Sequence, residues 1–587
     1  MKRLLRYVAR YRLRYASGIL CTVLTATLAM VIPILIRNAI NAVQQRHFAR
    51  VPGFAELIVA AALGMGVVRW LSRSIIFNCG RDIEYDLRND LFARLLTLSP
   101  SFYERLKTGD LMSRMINDLT AVRMMVGLGI LTFINTPLYY LYALAFMTSL
   151  NGRLTLASLA PYGVLCAGIW RLAHTLMERS LRVQEELGRI GARVQESLAG
   201  IQVVKAYTAE EHEVARFREI NQTYNAENLR LARVRGMLMP LIRGAAATAA
   251  MIVLIYGGFL VTQHRMSLGD LVAFMSYLGL LAWPTTSLGW MLSIYQRGKA
   301  SMKRLADIFE AAPVPAPSDD GQWGLEVAGA IEWEHVWFSY FASPGTNGGA
   351  DDGAAAWALR DVNIKVQPGE KLAIVGRTGA GKSTLVKLLT RLIEPTAGRV
   401  LVDGRDVRDV PLARLRRSVG VVPQEPVLFS DTLARNIAFG CPGAPRAEIE
   451  RAAVAAGLVG DLEAMPRGME TRVGERGMTL SGGQKQRVTV ARLLTYDPAV
   501  VVLDDALSSV DTETEHAVLH TLGESVKGRS MVVVSHRAST VRDADQIVVL
   551  QDGVVAERGT HEELMARRGA YAELFRRQLL EEELASY

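Results

Sequence analysis

A glycine-rich run in the second half of the chain has the residue types and spacing of a phosphate-binding loop. It reads Gly376-Arg377-Thr378-Gly379-Ala380-Gly381-Lys382-Ser383, with Thr384 next. Glycines let backbone N–H groups curl around a phosphate, and a helix N-terminus adds a favourable dipole. Lys382 would reach the outer phosphates of a nucleotide, and the Ser383 hydroxyl would ligate Mg²⁺. The loop therefore predicts binding of Mg²⁺ together with ATP or GTP.

Two consecutive acids, Asp504 and Asp505, follow the apolar run Val500–Leu503. Such a run is typical of a buried parallel strand, and the carboxylate that ends it is the usual second group directed at Mg²⁺. Asp505 stands where a base or a water-positioning carboxylate belongs. Acids after a strand are often only a solvated turn, but the upstream phosphate loop favours an active site here.

The elements that must position these residues form an α/β pattern. Lys371–Val375 is a predicted strand directly before the loop, and Thr384–Leu392 is a predicted helix directly after it. The proline-rich stretch Ala311–Ser318 is typical of an extended linker. Short apolar strands, glycine-rich turns and helices follow. The sequence predicts a linker at 311–328 and an α/β phosphate-loop domain at 329–587.

The first half of the chain contains long apolar stretches. Half of all residues are hydrophobic and the mean hydropathy is +0.17 although 21% are charged, which indicates an apolar part joined to a soluble part. Crossing ~30 Å of hydrocarbon takes roughly 20 helical residues. The stretches lack the polar face of a soluble core helix. The sequence predicts an all-α transmembrane domain over 1–310, with six spans at about 16–36, 54–76, 126–148, 153–173, 243–263 and 268–293.

The second of these spans has the weakest pattern. Its charge-free part, Leu57–Val68, is bounded by Glu56 and Arg69, and both side chains could reach the interface by snorkelling. Six spans place the basic N-terminus and the C-terminal domain on the same side of the membrane, whereas five do not. We therefore include this span in the prediction.

The net charge of +9 allows two interpretations: a nucleic-acid partner, or basic loops beside membrane helices. No basic stripe with interleaved aromatic residues stands apart from the apolar segments, so no nucleic-acid partner is expected. The four cysteines form no Cys-x-x-Cys pair, which argues against a cysteine metal site and a disulfide framework. The basic N-terminus lacks the pattern of a cleaved signal peptide and is expected to lead into the first span.

Further short motifs surround the phosphate loop. Each is modest alone, because Gln424 could be an ordinary loop residue, His536 a surface histidine and Tyr340 a core aromatic. Together and in this order, they resemble the motifs of exporter-type (type IV) ABC half-transporters. The motifs are Tyr340, Pro423-Gln424-Glu425, Leu480-Ser481-Gly482-Gly483-Gln484, Ser508-Ser509-Val510-Asp511 and Ser535-His536-Arg537.

The resemblance implies a role for each motif. Gln424 would offer its amide to Mg²⁺ and the attacking water, His536 would lie near the γ-phosphate, and Tyr340 would stack on adenine. Because the nucleotide-binding domains of this family pair head to tail, the signature would face the ATP held by a second half-transporter. The signature residues concerned are Ser481, Gly482, Gly483 and Gln484.

The resemblance also implies an ATPase that moves an amphipathic or hydrophobic small molecule, lipid or peptide across the lipid bilayer by alternating access. The protein would be a multi-pass protein of the cell membrane, with the nucleotide-binding domain and both termini in the cytoplasm. Thr108–Arg114 with Asn117 and Asp118, and Gly200–Tyr207, resemble the family's coupling-helix regions. Candidate cavity-lining residues are Tyr139, Tyr140, Tyr142, Phe146, Met251, Tyr256, Phe274, Met275, Tyr277 and Trp290.

One departure from the family pattern concerns catalysis. The family's usual residue after the first acid is glutamate, whereas this chain has Asp505, one methylene shorter. A misplacement of ~1 Å can lower a rate ~100-fold, so hydrolysis at this chain's own loop is expected to be slow. With the signature intact, the pattern resembles the degenerate half of a heterodimeric exporter whose other half carries the glutamate. A second departure is the Gly/Ala-rich segment Ala342–Ala356, expected to be a flexible loop.

Three alternatives to the heterodimeric exporter stay open. The first is a slow homodimer, because an aspartate can still polarise water. The second is a nucleotide-sensing regulatory subunit that contributes little hydrolysis. The third is an exporter-shaped pair that imports siderophores or lipids.

Overall fold

The computed structural model describes residues 1–106, 108–314, 317, 327–340, 357–535 and 537–585. Two compact units form: Met1–Leu96 with Thr108–Ala311, here called the membrane unit, and Thr97–Lys107 with Ala312–Tyr587, here called the nucleotide unit. Most of the predicted linker and all of Ala342–Ala356 lie outside the described residues.

Helices build the membrane unit. Between them lie a 3₁₀ turn at Phe48–Arg50 and π-helical turns at Arg114–Asp118, Met125–Gly129 and Val253–Gly257. The helices up to residue 310, of which α4 belongs to the nucleotide unit, are α1 (Lys2–Arg10), α2 (Arg12–Gln44), α3 (Val51–Leu96), α4 (Pro100–Arg105), α5 (Thr108–Ser113), α6 (Leu119–Met124), α7 (Ile130–Ala199), α8 (Ile201–Ala206), α9 (Glu210–Gly236), α10 (Leu238–Ile252), α11 (Gly258–Thr262) and α12 (Leu268–Glu310).

Within the described residues, five helical stretches are long and apolar enough to cross a membrane: Arg12–Gln44, Phe48–Leu96, Thr108–Leu165, Glu210–Thr262 and Leu268–Glu310. Helix α7 contains the fourth predicted span and the third from Ile130 onward, whose first residues lie in the π-helical turn Met125–Gly129. Extended backbone at Asn151 (φ −164°, ψ 107°) breaks it, and the Asn151 side chain accepts a hydrogen bond from the Leu154 N–H at 3.0 Å. The break falls between the predicted spans 126–148 and 153–173, while the count of six spans stays a prediction.

The first predicted coupling region is anchored inside the membrane unit. Asp118 is 2% exposed, accepts a hydrogen bond from Ser301 at 2.7 Å and forms an ion pair with Arg304 of α12. By contrast, the preceding segment Thr97–Lys107, which contains α4, belongs to the nucleotide unit. The role of Thr108–Arg114 with Asn117 and Asp118 as a coupling region stays a prediction.

The nucleotide unit is an α/β structure. Its strands are β1 (Ile331–Phe338), β2 (Leu359–Val366), β3 (Lys371–Gly376), β4 (Ala397–Val402), β5 (Arg405–Asp406), β6 (Val419–Val422), β7 (Val500–Asp504), β8 (Ser530–Val534), β9 (Gln546–Gln551) and β10 (Val554–Gly559). Its helices after residue 310 are α13 (Lys382–Leu389), α14 (Leu412–Ser418), α15 (Leu433–Ile437), α16 (Arg446–Ala455), α17 (Val459–Ala464), α18 (Gly482–Tyr496), α19 (Thr512–Ser525), α20 (Ala538–Val541), α21 (His561–Arg567) and α22 (Ala570–Ala585).

Two sheets organise these strands. An antiparallel sheet has the order β2-β1-β4-β5, and a six-stranded sheet has the order β10-β9-β3-β8-β7-β6. In the larger sheet every neighbouring pair is parallel except β10 with β9. The carboxyl ends of β3, β8 and β7 therefore lie side by side at one edge, which is where ligands bind in open parallel sheets.

The larger sheet is apolar on both faces, as continuous runs of Val, Ile and Leu predict for buried parallel strands. Alternate residues of β7 enter different cores: Val500 and Val502 pack in the cluster of Trp333, whereas Val501 and Leu503 pack in the cluster of helix α18. Trp333 is 1% exposed. Burial on both faces fixes the register of β7 and hence the position of the acids that follow it.

Gly398 allows β1 and β4 to approach closely where their register shifts between Glu334 and Trp337. Its φ is +84°, and a Cβ on it would lie 2.1 Å from the backbone oxygen of His335. Gly404 has a similar φ of +75° but open space around its Cα. The two glycines share a conformation and differ in crowding.

We expect Gly398→Ala to destabilise the nucleotide unit by ~2–4 kcal/mol, from left-handed strain plus the displacement of a strand. Gly404→Ala carries only the strain and is expected to cost ~1 kcal/mol. Thermal unfolding of the full chain in detergent, followed by intrinsic fluorescence, compares the two variants with the parent. Equal shifts in the two variants would contradict the close approach at Gly398.

Candidate active site

The phosphate loop connects β3 to α13, with the strand before it and the helix after it as the sequence predicts. The helix begins at Lys382, two residues earlier than expected. Gly381 precedes it with φ +100°, and a Cβ there would lie 2.7 Å from the Ala358 backbone oxygen. A side chain does not fit at this position, so the loop keeps its backbone N–H groups and the helix N-terminus open to a phosphate.

Lys382 reaches back across the loop. Its Nζ donates hydrogen bonds to the backbone oxygens of Gly376 at 2.8 Å and Arg377 at 3.1 Å. Burial lowers the pKa of this ammonium, and the carboxylates of Asp505 and Asp504 oppose that shift. A phosphate oxygen could replace these carbonyl acceptors and would pair with the charge in a partly desolvated site.

Ser383 and Asp504 come together at the edge of the sheet. The Ser383 hydroxyl donates to Asp504 Oδ1 at 3.1 Å, and Asp504 is 8% exposed. Burial raises the pKa of the Asp504 carboxyl, while the bond from Ser383 and the charge of Lys382 oppose the shift. A cation would relieve this unfavourable burial of charge.

The donor set at Ser383 and Asp504 fits Mg²⁺, which prefers hydroxyl and carboxylate oxygens together with phosphate and water. Within the described residues, no group of three His, Cys, Asp or Glu side chains could hold a metal ion. That is compatible with an ion that takes most of its ligands from a nucleotide and from water.

Asp505 lies next to the phosphate loop in a left-handed turn. Its φ is +49°, and its backbone N–H donates to Val534 at the end of β8 at 2.9 Å. Asp505 and Gln424 line one cavity of about 580 Å³ together with Gly376, Arg377 and Thr378. The structure thus brings two of the three predicted catalytic residues, Asp505 and Gln424, to the phosphate loop, while the third, His536, lies outside the described residues.

Tyr340 is placed at the far end of the loop. Its hydroxyl is 3.1 Å from the Thr384 hydroxyl, and its ring meets the Phe338 ring edge-to-face with centroids 4.8 Å apart. The side chain is 47% exposed. An aromatic residue held along one edge, with open surface beside the loop, is suited to stack on a base.

The signature residues begin helix α18. Ser481 caps the helix by accepting from the Gln484 N–H at 3.2 Å, and the Gln484 side chain accepts from the Ser481 N–H at 2.8 Å. These residues are absent from the walls of two cavities that contain phosphate-loop residues, the one at Gln424 and Asp505 and a neighbouring one at Asp552. The capping box fixes the N-terminus of α18, whose dipole favours an anion.

Three residues without an assigned role in the sequence hold the Ser508–Asp511 turn. Gln486 donates to the Ser508 hydroxyl at 3.1 Å and accepts from the Ser509 N–H at 2.9 Å. Arg537, next to His536, donates to the backbone oxygens of Ser508 and Val510, each at 3.0 Å. These bonds connect the signature helix, the turn and the histidine-containing segment.

The third residue, Glu515, lies beneath this turn. It is buried, forms an ion pair with Arg537 and accepts a hydrogen bond from Thr540 at 2.6 Å. Gln486 and Arg537 lie inside or next to motifs that the sequence shows. Their hydrogen-bond partners could not be read from the sequence, because those partners come from other elements of the fold. Helix α22 also contributes Tyr571 and Phe575 to the cavity at Asp505, and no motif indicates this.

Two family models match the chain. Residues 15–285 match the ABC transporter transmembrane region, and residues 359–508 match the ABC transporter domain. The solved structure of a bacterial Atm1-family ABC exporter with ATP bound superposes with a TM-score of 0.80 at 28% sequence identity, covering 97% of this chain and 99% of that one.

Curated relatives align over nearly their whole lengths. The probable multidrug resistance ABC transporter ATP-binding/permease protein YheI of Bacillus subtilis is 35% identical over 99% of this chain and 98% of its own length. The multidrug resistance-like ATP-binding protein MdlA of Escherichia coli is also 35% identical, over 98% and 96%. The ATP-dependent lipid A-core flippase of Nitrosococcus oceani is 32% identical over 98% and 95%. The chain therefore belongs to the ABC transporter family and is an exporter-type half-transporter.

Proposed function

We propose that this chain binds Mg·ATP between its own phosphate loop and the signature of a second half-transporter, and that ATP turnover exports an amphipathic drug, lipid or peptide across the cell membrane. The observation that carries this proposal is the convergence of Lys382, Ser383, Asp504 and Asp505 at one edge of the parallel sheet. The relatives named for multidrug resistance and for lipid flipping support the substrate class.

The proposed chemistry uses few groups. Lys382 and the loop N–H groups bind the outer phosphates, and Asp505 with Gln424 holds a water beside them. Mg²⁺ held by Ser383, Asp504 and Gln424 would neutralise charge on the phosphates. Closure of two nucleotide units around ATP, transmitted through the cytosolic loops, would turn the membrane units outward, and release of the products would reset them.

We further propose that this chain is the half with the slower site in a heterodimer. Asp505 provides a shorter carboxylate than the family's glutamate, whereas the signature Ser481–Gln484 keeps its capping box. The signature of such a chain would complete a fast ATP-hydrolysing site on its partner. At the chain's own phosphate loop, ATP would stay bound longer. Its partner is expected to carry the glutamate.

Export requires ATP on the side of the nucleotide unit, so we place that unit and both termini in the cytoplasm. The arginine-rich N-terminus supports this orientation, since basic residues flank membrane helices on the cytoplasmic side. In inverted membrane vesicles, ATP is expected to drive substrate inward. ATP-driven loss of substrate from such vesicles would instead indicate import.

Lys382→Ala removes the charge that faces the phosphates while leaving the loop backbone in place. We expect ATP affinity to fall at least ~10-fold and ATPase activity to be lost, because charge-assisted hydrogen bonds in a desolvated site disappear. Equilibrium binding of a fluorescent ATP analogue and phosphate release measure the two effects. Lys365→Ala, an exposed lysine of the same unit paired with Glu332, is the matched control and should behave as the parent.

Asp505→Glu lengthens the carboxylate beside the loop. We expect kcat for the chain's own site to rise ~10- to 100-fold, since ~1 Å of placement is worth about that factor, with little change in ATP affinity. Asp497→Glu adds the same methylene at another left-handed aspartate, φ +57°, paired with Arg529 away from the site. It controls for backbone strain and should leave kcat unchanged.

ATP turnover is measured for the parent and the Asp505 variants, with the chain purified alone and together with candidate partners. Fast ATP turnover by the lone chain, abolished by Asp505→Ala, would refute the slow-site heterodimer and support a homodimer. A lone chain that retains ATP but turns it over slowly, with fast turnover restored by a partner, is the expected result.

A further inference from the structure

A cavity of about 360 Å³ opens between four helices of the membrane unit, α2, α3, α7 and α12. It is separate from the nucleotide cavities, and Tyr139 is the candidate substrate-cavity residue that the structure places on its wall. Phe274 and Tyr277, two other candidates, are buried between helices instead. The wall combines charged, amide and apolar groups, including Arg69, Arg73, Asn135, Leu131, Leu280 and Trp283.

Arg69 and Arg73 lie one helical turn apart on α3 and both face the cavity. Among the described residues, no carboxylate pairs with either, and the one contact described for the Arg69 guanidinium is the Met65 sulfur at 3.6 Å. Like charges at this spacing repel each other on a helix. The pair therefore concentrates positive charge that the described part of the membrane unit does not balance.

Several other arginines of the membrane unit pair with an acid on another helix. Arg37 of α2 pairs with Asp270 of α12, and Arg304 of α12 pairs with Asp118. Likewise, Arg14 pairs with Asp82 at 2.7 Å. In these three pairs a carboxylate on another helix balances the arginine, and the cavity arginines differ from them in this respect.

The threonine and serine hydroxyls on the cavity wall already have partners. Thr22 and Ser72 each donate to the Gly18 backbone oxygen, at 2.9 and 3.0 Å, and Thr25 donates to Cys21 at 2.8 Å. The Asn135 amide, by contrast, has no hydrogen bond among the described residues. Among the described residues of the wall, the groups with unused donors are therefore the two guanidinium groups, this amide, the Tyr139 hydroxyl and the Trp283 indole N–H, and each can donate to an anion.

The depth of the cavity suits the head group of an amphiphile. Arg69 follows the charge-free stretch Leu57–Val68, and it lies ~20 Å along the helix from Glu56 at the other margin. Long basic side chains in the last turns of a span reach head-group level by snorkelling, and basic pockets between membrane helices bind acidic lipid head groups. Apolar side chains such as Leu280 and Trp283 continue the wall.

We propose that this cavity binds the acidic head group of an amphiphilic substrate, with Arg69 and Arg73 holding a phosphate, sulfonate or carboxylate and the apolar wall holding the adjoining part of its body. The guanidinium group suits this role, because its planar donors match such oxyanions in pairs. This inference rests on the proposed export function and narrows its substrate class to anionic amphiphiles.

Two probes that differ by a single phosphate test the proposal: a fluorescent lysophosphatidic acid and the monoacylglycerol with the same labelled chain. Their Kd values are measured on the full-length assembly in nanodiscs of neutral lipid, without nucleotide. We expect the phosphate to tighten binding at least ~10-fold, since one charge-assisted hydrogen bond contributes that factor. The double variant Arg69→Gln/Arg73→Gln is expected to lose the preference.

Arg69→Lys/Arg73→Lys keeps both charges and should retain most of the preference, which separates loss of charge from misfolding. Arg12→Gln removes one positive charge at the start of α2, outside the cavity, and should change nothing. An anilinonaphthalene sulfonate, which has no acyl chain, distinguishes the source of the anion. Arginine-dependent binding of the sulfonate indicates soluble anionic amphiphiles, and binding of the lipid alone indicates membrane lipids.

Equal affinity for the two lipid probes would overturn the proposal. A phosphate preference that survives in the glutamine double variant would do the same, because the arginines would then not be its cause. Since no nucleotide is present, these outcomes are independent of the ATPase test: loss of activity in Lys382→Ala addresses the export function, and the probe pair addresses the cavity.

Discussion

The register of three parallel strands governs where chemistry can occur in this chain. Ile374 of β3 pairs with Val534 of β8, which in turn pairs with Asp504 of β7, so the strands end level with one another. Because these strands are buried on both faces, a slip of one residue would exchange the side chains between two apolar cores. Only in this register do the loop after β3 and the acids after β7 meet.

The same register also explains the character of Asp505. Its N–H is held by Val534 and its φ is +49°, a conformation in which aspartate is enriched among residues other than glycine. A short acid thus fits the turn with little strain, but its carboxylate extends less far towards the nucleotide cavity than a glutamate would. Low backbone strain and a long catalytic side chain are therefore opposing requirements at this position, and the slow site proposed above depends on this opposition.

Local patterns in the sequence predicted the local parts of the site. The glycines, Lys382 and Ser383 lie within one strand–loop–helix unit, so their spacing alone placed them. The links made by Arg537 to the turn at Ser508 could not be predicted, because they join residues from separate elements whose approach depends on the whole sheet. The grouping of Thr97–Lys107 with the nucleotide unit depends likewise on contacts remote in sequence.

In the membrane unit, hydropathy indicates which segments are apolar enough to cross a bilayer, but not which charges are balanced. From sequence, Arg37 and Arg69 are alike, each a cation near the end of an apolar run. Folding brings Asp270 to Arg37, whereas Arg69 joins Arg73 on the wall of a cavity. Placing an ionised group at the margin of a membrane costs free energy unless water, lipid or an opposite charge compensates it. Compensation for Arg69 and Arg73 therefore comes from water, lipid or a bound anion, and the anionic cargo proposed above would be recognised by the same interaction that neutralises the two arginines.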